Sequence, residues 1–178
     1  TTSQFELKQE MWTKLDTWNE SVYNWKSIEF KALDVDEMIK EVGMHYKDVH
    51  KMSKRPGPNG QPDPVVTMFK ESVEDFKDQM PVITDLGNPS LQERHWKKLF
   101  DKFEQPYTPG VMFTLEQLLS YGAVNHAEFI SETSSIASGE FGLEQLLDKI
   151  RKAWADTAFV TLNHRDQSDI FILGGIDD

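Results

Sequence analysis

The side chains equipped for chemistry are few and scattered. The histidines are His45, His50, His95, His126 and His164, and no two of them form an H-E-x-x-H zinc motif. Glu41 and His45 stand four apart, so on a helix they share one face. That pair offers two ligands where catalytic zinc usually takes three from protein, so a core histidine beside a carboxylate is the simpler reading. The close acid pairs Asp34/Asp36 and Asp177/Asp178 have the residue types for general acid–base or metal work. With 30 acidic residues in 178, however, such pairs arise readily by chance. Gly139-Glu140-Phe141-Gly142 lacks the rest of a phosphate-cradling G-x-x-x-x-G-K-[ST] loop and reads as a joint between helices. No nucleophile elbow, kinase signature or EF-hand loop is present. The chain has no cysteine, which removes thiolate catalysis, thiolate metal sites and disulfides. The expectation is a segment with no catalytic residue, no cofactor and no metal of its own.

Charge narrows the partners. Acidic residues outnumber basic ones 30 to 19, a formal charge of −11. A broad basic face for nucleic acid is therefore not expected, and neither is adhesion to an anionic membrane surface. No apolar run approaches the roughly 20 residues that span a bilayer. Five tryptophans and eleven phenylalanines supply bulky core for a chain of this size. The chain opens at Thr1 and closes on Gly175-Ile176-Asp177-Asp178, which reads as a piece of something longer.

The elements that must position these residues are mostly helices. Phe5, Met11, Trp12, Leu15, Trp18, Val22 and Trp25 recur mostly at three- and four-residue steps, the period of one helical face. A core seam explains this stripe better than a ligand-stacking tryptophan box. Asp34, Asp36 and Glu37 place acids at the positive end of a second helix carrying Val35, Met38, Ile39, Val42, Tyr46 and Val49, with Gly43 weakening its continuity. Residues 53–64, SKRPGPNGQPDP, hold four of the eight prolines, and read as a loop and the candidate internal break. Val65, Val66, Phe69, Val73, Phe76 and Met80 then mark a third helix. Pro81 is expected to stop that helix, leaving 81–87 as an extended or one-turn connector. Asn88-Pro89 reads as an N-cap and first position of the helix that carries Leu91, Trp96, Leu99, Phe100 and Phe103. Thr114 with Gln117, and Asn125 with Glu128, are capping-box patterns. Phe141, Leu143, Leu146, Leu147, Ile150 and Trp154 define a last helix, with Asp148 and Lys152 as a favourable ion pair. AFVTLN and DIFIL change the period from helix to strand and suggest a β-hairpin over about 158–173. The fold class expected is mainly α with that short hairpin, in one fragment spanning 1–178.

One stretch is distinctive. Met80 to Trp96 reads MPVITDLGNPSLQERHW, and it resembles the P-[VIL]-I-x-x-L-x-N-P-x-[LM]-x-x-R-H-W signature of the dynein heavy-chain linker region. Glu140, Leu143, Glu144, Leu147, Ile150 and Trp154 match the family's E-x-x-L-E-x-x-L-x-x-[IM]-x-x-x-W helix, and Ile172 to Asp178 its I-L-x-G-x-D-[ED] ending. The resemblance is good over residues 60–178 and weaker before. Gly87 and Gln92 depart from it, standing where basic residues are common.

The resemblance implies a helical arm lying between a cargo-binding tail and a ring of six AAA+ modules in one heavy chain. Such an arm bends and straightens with the nucleotide state of the ring and drives movement along microtubules. ATP hydrolysis belongs to the ring. The implied partners are that ring, the tail and the remaining linker helices; the implied location is cytoskeletal, with the axonemal class of cilia and flagella matching better than the cytoplasmic class. Asn88, Pro89, Arg94, His95, Trp96, Glu140, Glu144 and Trp154 are the candidate structural or interface residues. Arg94, His95 and Trp96 are expected to brace the joint between the 82–87 connector and the next helix, with Trp96 buried and Arg94 paired with an acid, or else to touch the ring. Two other readings compete. One is a stand-alone helical scaffold binding a partner helix; the other is a small acidic hydrolase, for which no catalytic spacing speaks.

Overall fold

The computed structural model describes residues 2–55, 60–61, 63–155, 160–163 and 171–174. It is mainly helical: α1 (Thr2–Ser27), α2 (Val35–Ser53), α3 (Pro64–Leu86), α4 (Glu93–Lys102), α5 (Leu115–Ser120) and α6 (Ala127–Ala155), with short 3-10 turns at Phe30–Ala32 and Ala123–His126. The chain divides into two compact units, residues 1–138 and 139–178.

The first unit is built on α1, α2 and α3. In α1 the buried positions are Met11, Leu15, Trp18 and Trp25, with Val22 partly covered. Their steps of four and three give one stripe. Phe5 and Trp12, expected on that face, are exposed instead. Trp12 follows Met11 directly, and a helix turns about 100° per residue, so both cannot face the same core. Trp18 is fully buried. Its ring meets those of Trp25 and Phe76 edge-on at centroid distances of 6.0 and 5.6 Å, and its Nε1–H donates to Ser72 Oγ at 3.0 Å. The one polar atom of the indole is thus satisfied inside the core.

Helix α2 begins where the acids predict. Asp34 is its N-cap and accepts from the Glu37 N–H at 2.9 Å, with Asp36 and Glu37 in the first turn. It runs unbroken through Gly43, where an added Cβ would meet open space. Its buried positions Met38, Val42, Val49 and Met52 face α3, which answers with Val66, Phe69, Val73 and Phe76. Residues 53–64 join the two helices within this unit, and 56–59 and 62 are outside the described residues.

Helix α3 corrects the reading of 81–87. It does not stop at Pro81 but continues to Leu86. A proline inside a helix forfeits a backbone bond and costs about 3 kcal/mol. Val82, Ile83 and Leu86, beyond it, are all buried. At about 1.5–3 kcal/mol for each fully buried side chain, their burial outweighs the break. The helix ends at Gly87, where a Cβ would lie 2.5 Å from Val35 Cγ2, so glycine is what lets the end of α3 meet the start of α2.

Around α4 and α5 an aromatic group closes the unit. Trp96 lies 4.9 Å from Phe113 and 6.1 Å from Phe30, and Phe100 contacts Phe113, Tyr107 and Tyr121. The Phe30 N–H donates to the Phe113 carbonyl at 2.8 Å and holds the two loops together. Thr114 and Gln117 form the expected capping box on α5. Asn125 is not a cap: it lies in the 3-10 turn that follows Gly122, whose φ of 78° is left-handed, and α6 starts at Ala127. Helix α4 leaves through Glu104, a non-glycine residue at φ 57°.

Helix α6 is unbroken at Gly139 and Gly142, so these are not a joint between two separate helices. Both glycines have open space where a Cβ would sit. Steric need therefore does not explain either one. In the second unit, Lys152 Nζ lies 2.7 Å from Asp148 on the exposed surface, a pair worth a few tenths of a kcal/mol. Val160–Asn163 and Phe171–Gly174 pair as antiparallel strands, with Leu162 opposite Ile172; the residues between them, 164–170, are outside the described set. So is the 175–178 ending of the sequence match.

Candidate functional site

The turn between α3 and α4 gathers most of the singled-out residues. Asn88 does not cap a helix, and Pro89 is not a first helical position: both sit in a turn, and α4 begins at Glu93 after the N-cap Gln92. The side chain of Asn88 is more useful there. Its Oδ1 accepts from the Ser90 N–H at 2.9 Å, closing an Asx turn that proline at the next position suits. Its Nδ2 reaches across to α6, 2.8 Å from Ser134 Oγ, 3.1 Å from the Ser134 carbonyl and 2.8 Å from Ser138 Oγ. One amide therefore shapes the turn and pins it to a helix some fifty residues later.

The Arg-His-Trp triplet divides by burial. Trp96 is 4% exposed and fills the aromatic group. His95 is 1% exposed, and its Nδ1 accepts from the Gln92 N–H at 3.1 Å, fixing the first turn of α4. Arg94 points outward and donates to Gln92 Oε1. Gln92, one of the departures from the family pattern, thus serves both neighbours. The triplet sits at the start of α4 with Trp96 buried, and what precedes it is a helix end and a turn rather than a connector. Glu140, Glu144 and Trp154 lie on α6 in the second unit; Glu144 and Trp154 are exposed and Glu140 is half-buried.

Beside the turn is an open cleft of about 740 Å³, with Phe30, Leu33, Leu86 and Trp96 in its lining and Asp36 and Asp85 among its polar groups. Among the described residues no three His, Asp or Glu side chains gather as metal ligands. The cleft's side chains include no histidine. No helix among the described residues is long and apolar enough to cross a membrane.

Sequence reasoning missed the partners of Asn88. The available signal was Ser134 and Ser138, small hydroxyls one turn apart on a helix. Sequence reasoning does read His45 as a core histidine, which its 2% exposure bears out, but it does not show that α1 and α3 enclose the ring.

The whole chain, residues 1–178, matches the family model described as "Dynein heavy chain, N-terminal region 2". It is 35% identical over 177 residues to dynein axonemal heavy chain 6 of Homo sapiens, covering 99% of this chain and 4% of that one. It is 27% identical over 175 residues to dynein axonemal heavy chain 1 of Mus musculus, covering 98% and 4%. With the dynein-1-beta heavy chain of the flagellar inner arm I1 complex of Chlamydomonas reinhardtii it shares 32% identity over 146 residues, covering 82% and 3%. The chain thus spans about one twenty-fifth of the length of the curated relatives it matches.

Proposed function

We propose, because this chain belongs to the dynein heavy-chain family, that it is a non-catalytic segment of the motor's linker arm. It carries force between an ATP-hydrolysing ring, elsewhere in the same heavy chain, and the tail. The observation that carries the reading is the match of all 178 residues to an N-terminal heavy-chain region. The relatives' names add a location: dyneins of cilia and flagella, hence an axonemal motor.

The physical support is the packing of the first unit. Interiors at crystal-like density resist continuous deformation, so load applied to one helix passes to the next. The Asn88 amide ties the α3–α4 turn to α6 by side-chain hydrogen bonds rather than by contact alone. On this reading the 158–173 hairpin and the later half of α6 meet other parts of the arm. The ring, the tail and the remaining arm helices are the partners, and nucleic acid and membrane are not.

A second reading has one observation in its favour. Leu143, Leu147, Ile150 and Trp154 are exposed at helical spacing, as in a scaffold that receives a partner helix. Nucleotide assays on the purified 178-residue chain test the non-catalytic half of the proposal. No ATP binding and no turnover are expected; turnover above trace contamination contradicts it. The mechanical half is tested in the full heavy chain, by comparing microtubule gliding with ATP turnover.

A further inference from the structure

His45 sits where a polar ring is costly. It lies in the seam of α1, α2 and α3, with the Trp18 ring 5.3 Å and the Phe69 ring 6.3 Å from its own. Neither Nδ1 nor Nε2 has a hydrogen-bond partner among the described residues. Leaving such groups unsatisfied costs about 1–3 kcal/mol, and a leucine or phenylalanine would avoid that cost. Glu41 Oε1 lies 3.8 Å from Nε2, too far for a hydrogen bond. That same oxygen accepts a short hydrogen bond from Ser21 Oγ, which ties α1 to α2.

We propose that His45 is a proton-operated latch on α1: neutral, it leaves Glu41 to hold Ser21; protonated, it competes for Glu41 and loosens the seam. The inference stands apart from the linker reading. A proton on Nε2 makes it a cationic donor 3.8 Å from the one oxygen that Ser21 uses. Closing that gap to hydrogen-bond length moves the carboxylate or the ring, and both lie at the α1 contact.

The charges around the ring are Glu41 and Asp48 of α2 and Lys14 of α1. From α3 it meets the Phe69 ring, while Glu74 of that helix pairs with His50 at 3.1 Å. Lys14 and Asp48 are themselves paired at 2.5 Å, so they largely cancel at the imidazole. Burial pushes His45 below the ordinary histidine value of 6.5, against the pull of Glu41. The sign follows. The unfolded chain takes its proton near 6.5 and the folded chain only at lower pH. Stability linked to this group is complete above 6.5 and falls as pH drops toward the folded value.

Two measurements on the 178-residue chain decide the matter. In the first, ring carbon signals of the histidines are followed by NMR from pH 8 to pH 5. His45 is expected to titrate below 6.5, with the α1 amides around Ser21 shifting on the same curve. In the second, urea midpoints at about pH 7.5 and 5.5 are compared for the native chain and His45→Leu. The native chain is expected to lose more of its midpoint on acidification than the variant. A His45 midpoint at or above 6.5, α1 signals that ignore it, or equal acid losses in the two proteins would overturn the proposal. If His45→Leu does not fold, the titration of the native chain decides alone.

Discussion

Two apolar stripes in this chain look alike in sequence and meet different fates. On α3, Phe69, Val73, Phe76, Met80 and Ile83 step by four and three and are all buried. On the second half of α6, Leu143, Leu147, Ile150 and Trp154 step by four, three and four, and all are 45% or more exposed. Periodicity decides that a segment is helical and which side is apolar. It does not decide whether the covering surface lies within the same 178 residues. In the first unit each stripe finds another: α1 and α2 meet α3, and the aromatic group of α4 meets the 30–33 and 111–114 loops. In the second unit the stripe is left facing outward. The chain spans about 4% of the length of the first relatives it matches, and on the proposed linker reading the remaining arm would cover this stripe.

Substitutions can break this contrast. The largest effect is expected at Trp18, whose ring is fully enclosed and whose indole N–H is bonded to Ser72. Trp18→Ala should lower unfolding stability by about 3–5 kcal/mol, read from urea denaturation. Leu147→Ala, on the exposed stripe, should change it by no more than about 0.5 kcal/mol. Comparable losses at the two sites would end the distinction between a packed unit and an uncovered helix.

Next comes Gly87. A methyl group there would collide with Val35 Cγ2 and crowd the Ile83 carbonyl. Gly87→Ala is expected to cost about 1–3 kcal/mol, as overpacking does. Pairing it with Val35→Ala should recover part of the loss, because the clash is with that side chain. If the double variant is no better than the sum of the singles, the close approach of α2 and α3 is not what glycine serves.

Asn88→Ala should cost about 1–3 kcal/mol by leaving the turn and the Ser134 hydroxyl without their shared partner. The smallest effects sharpen the contrast from the other side. Gly139→Ala and Gly142→Ala fill open space in a continuous helix, so each should stabilise α6 by up to about 1 kcal/mol, seen as slower amide exchange over 139–150. A loss of protection there would mean that glycine has a local role the fold does not reveal.

Most helices were legible because their cues are local. Asp34 capped α2, and Thr114 with Gln117 capped α5, from side chains within one turn of the groups they bind. The misreadings share a cause. Pro81 and Asn88-Pro89 carry strong local signals, one to end a helix and one to begin it, and tertiary contacts overrode both. Burial of Val82, Ile83 and Leu86 carried α3 past the proline, and Ser134 and Ser138 gave Asn88 better use as a cross-tie than as a cap. The candidate site was therefore legible as a place, residues 88–96, but not as a geometry. His45 was legible as a core histidine beside Glu41, but nothing in a four-residue spacing says that two further helices enclose it.

On the proposed reading this segment transmits force and leaves ATP hydrolysis to the ring. The most direct test places Asn88→Ala in the full heavy chain and measures ATP turnover and microtubule gliding on one preparation. The account predicts that turnover by the ring is kept while gliding slows several-fold, because the turn is no longer pinned to α6. Gliding and turnover both unchanged, or falling together in proportion, would contradict it.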